Sequence, residues 1–238
     1  MYTEIHIGDF AVDVMLKNIK NIHLSVYPPT GRVRISAPLH MNLDTIRVYA
    51  IQKLPWIKKH QSKFIKQARE TPREYIDLES HYFWGRRYLL KVIEKNSPHS
   101  ISVKHRELIL QVRPNTSHKQ REFILDAWYR ENLKGTALAI IQKWEKLMHV
   151  KVNQFYVQKM KTKWGSCNPV LANIRLNSEL AKKPIDFLEY IIVHEMTHLI
   201  EPTHNDRFLK LMAQNIPNWQ SIRDELNRLP VRSEIWTY

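Results

Sequence analysis

The sequence predicts an α+β protein, with a strand-rich first half and a helix-rich second half. Three observations carry that prediction. Residues 1–40 and 82–113 alternate apolar and polar side chains with the period of strands. Residues 118–148 repeat apolar side chains at helical spacing. From residue 184 onward the pattern reads as three more helices, punctuated by Pro and Asn.

Each element follows in order. "EIHIGDFAVDVML" and "NIHLSVYPPTGRVRISA" read as hairpins, the second turning at "PPTG". Residues 44–69 read as helical, with Asp44 as cap and Pro55 as a break between two short helices. "YFWGRRYLLKVIEK" and "SISVKHRELILQVR" return to strands, and "PNTSHKQ" closes that block. The expected boundary therefore separates a β-rich region, 1–115, from a second region, 116–238, with the packing of both as one unit left open. The long helix 118–148 turns Phe123, Ala127, Leu133, Ala137, Ile140, Ile141, Trp144 and Met148 inward. Then come the strand "KVNQFYVQKM", a turn at "TKWGSCNP", and the strand "LANIRLNSEL". The closing helices span about 184–200, 206–215 and 218–229, and no internal repeat is visible.

Composition bounds the function. The chain has 238 residues, 43% hydrophobic and 25% charged, as in soluble globular proteins. Five glycines argue against a Gly-rich phosphate loop. Cys167 is the single cysteine, which excludes an intrachain disulfide and a zinc site built from cysteines. The first ten residues have neither the basic nor the apolar stretch of a signal peptide. No apolar run reaches the length of about 18 residues that a membrane span needs. A soluble cytoplasmic protein is expected. The net charge of +14 favours polyanions or acidic surfaces. Its densest piece, "QKLPWIKKHQSKFIKQAR", carries Lys58, Lys59, Lys63 and Lys66 and no acid. Two readings stand there: a solvated helix face, or a surface touching nucleic-acid phosphates. No base-reading motif accompanies it.

The chemistry concentrates in "IIVHEMTHLIEPTH". On a helix, His194 and His198 lie one turn apart and can aim at one metal ion, as tetrahedral zinc requires. Glu195 sits one residue round, placed to take a proton from water at the metal without being a ligand. Pro202 ends the helix and Asn205 caps the next one, so His204 falls in the intervening turn. A chain reversal there brings a third imidazole to the ion and leaves one position for water. Burying His and Glu in an apolar helix without such a partner is costly.

"KTKWGSC", "IRLNSEL" and "HEMTHLIEPTHNDRF" together resemble the YgjP-like metallopeptidase family, relatives of the SprT-like proteases. The matching positions are Trp164, Gly165, Ser166 and Cys167; Leu176 and Asn177; His194, Glu195 and His198; His204 and Phe208. The first half matches more loosely, through Pro55, Trp56 and Ile57. The resemblance implies a zincin-like catalytic half and a zinc-dependent peptidase cleaving proteins. The histidine spacing equals that of the metzincins, but Glu201 stands where those have Gly. That group is not assigned, and Glu201 remains an alternative carboxylate near the metal.

Around the site, zincins align substrate along an edge strand. The strand holding Asn173, Ile174 and Arg175 is the candidate, against the alternative of an internal strand. Tyr156, Lys163, Arg175 and Tyr190 are available to stabilise an oxyanion. Zinc peptidase is thus the leading expectation, with a nucleic-acid-bound protein as one substrate class. A nucleic-acid-binding protein with a structural zinc, Cys167 as fourth ligand, is the alternative.

Overall fold

The computed structural model describes residues 2–8, 10–27, 31–66, 73–160 and 163–229. They form two compact units, residues 2–66 and 73–229. In the first, β1 (Tyr2–Ile7), β2 (Phe10–Lys17), β3 (His23–Tyr27) and β4 (Arg32–Pro38) form a sheet of order β1-β2-β4-β3. β2 and β4 run parallel; the outer pairs are antiparallel hairpins. Alternation places Ile5, Val12, Val14, Val33 and Ile35 on one face. There Ile46, Ala50 and Ile57 from α1 (Leu43–Gln52) and α2 (Leu54–Lys66) bury them. Asn42, not Asp44, caps α1: its side chain accepts from the Thr45 amide at 2.8 Å. The break falls at Lys53, with Pro55 in the first turn of α2, where its missing N–H costs nothing. On the opposite face Asp13 is 2% exposed, clamped by Arg32 at 2.6 Å and Arg34 at 3.8 Å.

The second unit opens with the same topology. β5 (Ser80–Phe83), β6 (Arg86–Glu94), β7 (Ser100–Lys104) and β8 (Glu107–Val112) follow the order β5-β6-β8-β7, again with the inner pair parallel. The fold therefore holds a repeat that the sequence reading did not find. It is a repeat of strand order, which different residues can satisfy.

In this unit the apolar face of the sheet meets α3 (His118–Met148). A capping box between Ser117 and Gln120 starts that helix. Leu125, Tyr129, Leu133, Ala137, Ile141, Trp144 and Met148 make the buried stripe. Phe123, expected inward, is 71% exposed, because Leu125 and Tyr129 set the register. Sheet and helix share one core with everything that follows. Residues 73–115 thus pack with the helical part, and the division between units falls near residue 70 instead of at 115/116.

A three-stranded sheet comes next: β9 (Gln154–Gln158), β10 (Gly165–Asn168) and β11 (Asn173–Asn177), in the order β10-β11-β9. β10 lies within the stretch expected to be a turn. A short 3-10 helix, Ser178–Lys182, leads to α4 (Ile185–Thr197), α5 (Asp206–Asn215) and α6 (Trp219–Arg228). α4 packs against α3, α5, α6, the 3-10 helix, β10 and β11. A helix so surrounded must be apolar nearly all round, and it is. No helix among the described residues is long and apolar enough to cross a membrane.

Candidate metal centre

α4 delivers His194, Glu195 and, just past its last turn, His198. The chain then tightens: Leu199 and Ile200 donate back to the carbonyls of Met196 and Thr197 at 3.0 Å each. Glu201 holds the turn. Its carboxylate accepts from the Thr203 hydroxyl at 3.0 Å and lies 3.8 Å from Arg207. Asn205 accepts from the Phe208 amide at 3.0 Å and starts α5, as expected of an N-cap. Together these contacts swing His204 back over α4.

The three imidazoles converge. One ligand nitrogen from each of His194, His198 and His204 lies within 4.8 Å of the others, a group that could hold a metal ion. The Nε2 atoms of His194 and His204 are 3.1 Å apart. Two nitrogens on a tetrahedral zinc at the usual bond length are separated by about 3.3 Å, so the pair fits a shared ion. His198 Nδ1 faces the Glu201 carbonyl at 3.2 Å. A carbonyl can only accept, so that nitrogen carries the proton and Nε2 keeps the lone pair for a metal. Phe208, 1% exposed, contacts all three rings, with centroids 4.6–5.0 Å away. It gives the site an apolar floor.

Electrostatics suit ligation. Burial, and then the neighbouring imidazoles, push His194 down to about 4; burial also lowers His198. Both are neutral at pH 7, the form that binds metal. Glu195 is 5% exposed and has no hydrogen-bond or ion-pair partner among the described residues. Burial pushes its carboxyl up to about 8, opposed weakly by Lys163. Cys167 is outside the histidine group. Burial, and then Glu195, push its thiol up to about 11, so it is not a thiolate ready for zinc. Glu201, turned to Thr203, is outside the group too.

Two residues within the quoted motifs carry positioning work that the sequence did not assign. Gly165 brings bare backbone against α4. A Cβ there would sit 2.6 Å from Glu195 Oε1, 2.9 Å from its Cγ and 2.9 Å from Ile191 Cγ2. Asn177, fully buried, donates to the carbonyls of Met160 and Lys163 at 3.0 and 2.8 Å. It thereby anchors the approach to β10. The signal for Gly165 was its place beside Trp164 in a chain with few glycines.

The expected substrate strand is corrected. Asn173, Ile174 and Arg175 lie on β11, which pairs with β10 on one side and β9 on the other. A strand bonded on both sides has no edge to offer. Among the described residues β10 pairs with β11 alone in this sheet and presents the outer edge next to α4. Of the oxyanion candidates, Tyr190 packs edge-on against His194, centroids 5.9 Å apart, and Lys163 acts on Glu195. Tyr156 and Arg175 are exposed on β9 and β11. In the first unit, Lys58 and Lys59 are exposed on α2; the side chains of Lys63 and Lys66 lie outside the described residues. Beyond charge, nothing there points to nucleic acid.

A buried carboxylate beside three converging imidazoles, on an α+β frame, is the kind of centre that metallopeptidases carry. The model of the YgjP-like metallopeptidase domain matches residues 20–229, and the chain belongs to that family. It is therefore a metallopeptidase. The crystal structure of the metallopeptidase zymogen of Pyrococcus abyssi abylysin is similar with a TM-score of 0.38 at 15% identity, covering 42% of this chain and 99% of that one. No curated protein matches.

Proposed function

We propose that the chain is a zinc-dependent, zincin-like peptidase that hydrolyses peptide bonds of proteins. His194, His198 and His204 hold the ion, and zinc supplies a Lewis acid that makes water acidic at neutral pH. Glu195 accepts the proton of the attacking water. As the carbon–nitrogen bond breaks, Glu195 passes that proton to the leaving amine. Gly165 keeps the carboxylate in place, and Phe208 keeps the floor of the site dry. The substrate lies along the outer edge of β10 as an added strand, with main-chain hydrogen bonds supplying register. A lone cysteine without a disulfide suits the cytoplasm, the location we assign.

The observation that supports this reading most is the meeting of three ligand nitrogens within 4.8 Å beside a buried glutamate that has no partner among the described residues. The test is direct. Purified protein should contain close to one zinc per chain and cleave casein. His198→Ala should lose the zinc, and Glu195→Gln should keep it and lose cleavage. Cleavage at the wild-type rate by Glu195→Gln would sink the mechanism.

A further inference from the structure

The second unit carries a cavity of about 600 Å³ where the loop before β7, the end of β8 and the start of α3 meet. Pro98, Phe123 and Ile124 form its apolar wall, and His99, Arg113 and Lys119 its charged one; no carboxylate lines it. Arg113 and Lys119 have no ion-pair partner among the described residues. Phe123, 71% exposed, offers its ring to solvent at the rim.

The walls are built beforehand. Gln111 Nε2 donates to the Pro98 carbonyl at 3.2 Å and to the Ser97 hydroxyl at 2.9 Å, fixing one side. The Thr116 hydroxyl donates to the Arg113 carbonyl at 2.6 Å, and Arg121 Nε to the Thr116 carbonyl at 3.1 Å, fixing the other. A groove of this size, open to solvent and apolar with a few convergent charges, has the character of a docking surface. Its chemistry asks for carboxylates or phosphates next to an apolar or flat group.

We infer that this cavity docks an acidic segment of the protein substrate, one bearing an aromatic or large aliphatic residue beside its carboxylates. The inference rests on the peptidase reading. Nucleic acid fits less well, because a strand needs a track of cations for successive phosphates. Here the basic patch stops within a turn of α3, where Glu122 and Asp126 already hold Lys159 at 3.5 and 2.7 Å. None of its lining residues belongs to the histidine group. α3 runs from Phe123 to Trp144, which meets Glu189 of α4 at 2.7 Å, so about 30 Å of helix intervenes. A stretch of about 30 Å takes about nine extended residues to span. Proteins and long peptides gain from this docking, and short peptides do not.

The test uses the full chain carrying Glu195→Gln and a fluorescein-labelled peptide of Glu, Asp and Phe, followed by anisotropy at low salt. A control peptide has Gln and Asn in place of the acids. The acidic peptide should bind at least tenfold tighter than the control. Arg113→Glu with Lys119→Glu should weaken it at least tenfold, and Phe123→Ala severalfold. Equal affinity for both peptides, or undiminished binding in the double variant, overturns the inference. So does labelled oligothymidylate that binds more tightly and is lost in the same variant. Cleavage of a short uncharged peptide separates the two readings. With Glu195 intact, the protein with and without the double change should cleave it equally. Cleavage by neither refutes the peptidase, while the anisotropy still decides the cavity.

Discussion

The two units contain the same four-stranded sheet, and two of their buried carboxylates, Asp13 in the first and Glu195 in the second, live in opposite surroundings. Asp13 sits between Arg32 and Arg34 and accepts from Tyr2. Burial there pushes its carboxyl up, but the hydrogen bonds from Arg32 and Tyr2 more than offset that, and the net shift is down. Glu195 has no such partner among the described residues, and burial pushes it up to about 8. A carboxylate that a fold uses for its own stability is given counter-charges. One held ready to take a proton is kept hungry. The sheets differ in parallel. The first is closed off by two short helices, while the second passes its apolar face to a 31-residue helix that reaches on to support α4.

Exchanging each carboxylate for its amide should break the comparison most sharply. Glu195→Gln should reduce kcat by about 10³-fold, within the range for loss of a general base, with zinc content and melting temperature unchanged. Asp13→Asn should do the reverse. It leaves Arg32 and Arg34 beside a buried neutral group and should destabilise the first unit by about 3 kcal/mol, with kcat per folded molecule intact. Denaturant titration and casein hydrolysis on both variants check this. A destabilised Glu195→Gln protein would mean that Glu195 has a structural partner after all.

Two glycines extend the contrast at smaller amplitude. Gly8, in the β1–β2 turn, has φ +58° and nothing within 4 Å of a would-be Cβ. Gly8→Ala should cost about 1 kcal/mol of backbone strain and nothing in activity. Gly165 has ordinary φ but faces Glu195. Gly165→Ala must displace the carboxylate, and misplacement by about 1 Å costs on the order of 10²-fold in rate. The expected result is a fall in kcat of about 10- to 100-fold with bound zinc retained. Equal kcat in Gly165→Ala and wild type would remove Gly165 from the machinery.

These residues also mark what the sequence could tell. The histidine cluster was legible because its information is local: two rings one turn apart, a proline that ends the helix, an asparagine that caps the next. α3 was legible as a helix, and its inward stripe from Leu133 to Met148 was too, but the facing of its first turns was not. Several apolar stripes compete over 31 residues, and only the sheet decides that Leu125 and Tyr129 face it. β10 was read as a turn because Gly165–Asn168 has no alternation; its pairing with β11 supplies the strand. Whether β11 is an edge or an internal strand stayed open because strand neighbours are non-local facts, and its second partner, β9, lies about twenty residues earlier. The duplicated strand order stayed hidden for the same reason.

The contrast also reaches the pH dependence of the metal-free protein. Glu195 titrates near 4.5 when unfolded and is pushed up to about 8 when folded. The folded state therefore holds the proton more tightly. The resulting stabilisation is complete below the unfolded value and declines as pH rises from about 4.5 through 8. Asp13, lowered from 3.8, runs the other way: its contribution is present above that value and is lost as pH falls through its folded value. With chelator present, melting temperature measured against pH should fall between 5 and 8 more steeply in wild type than in Glu195→Gln. Asp13→Asn should flatten the acid limb below pH 4 and leave the 5–8 limb unchanged. Identical 5–8 limbs in wild type and Glu195→Gln would mean that Glu195 is solvated or paired when folded. The contrast between the two carboxylates would then lose its basis.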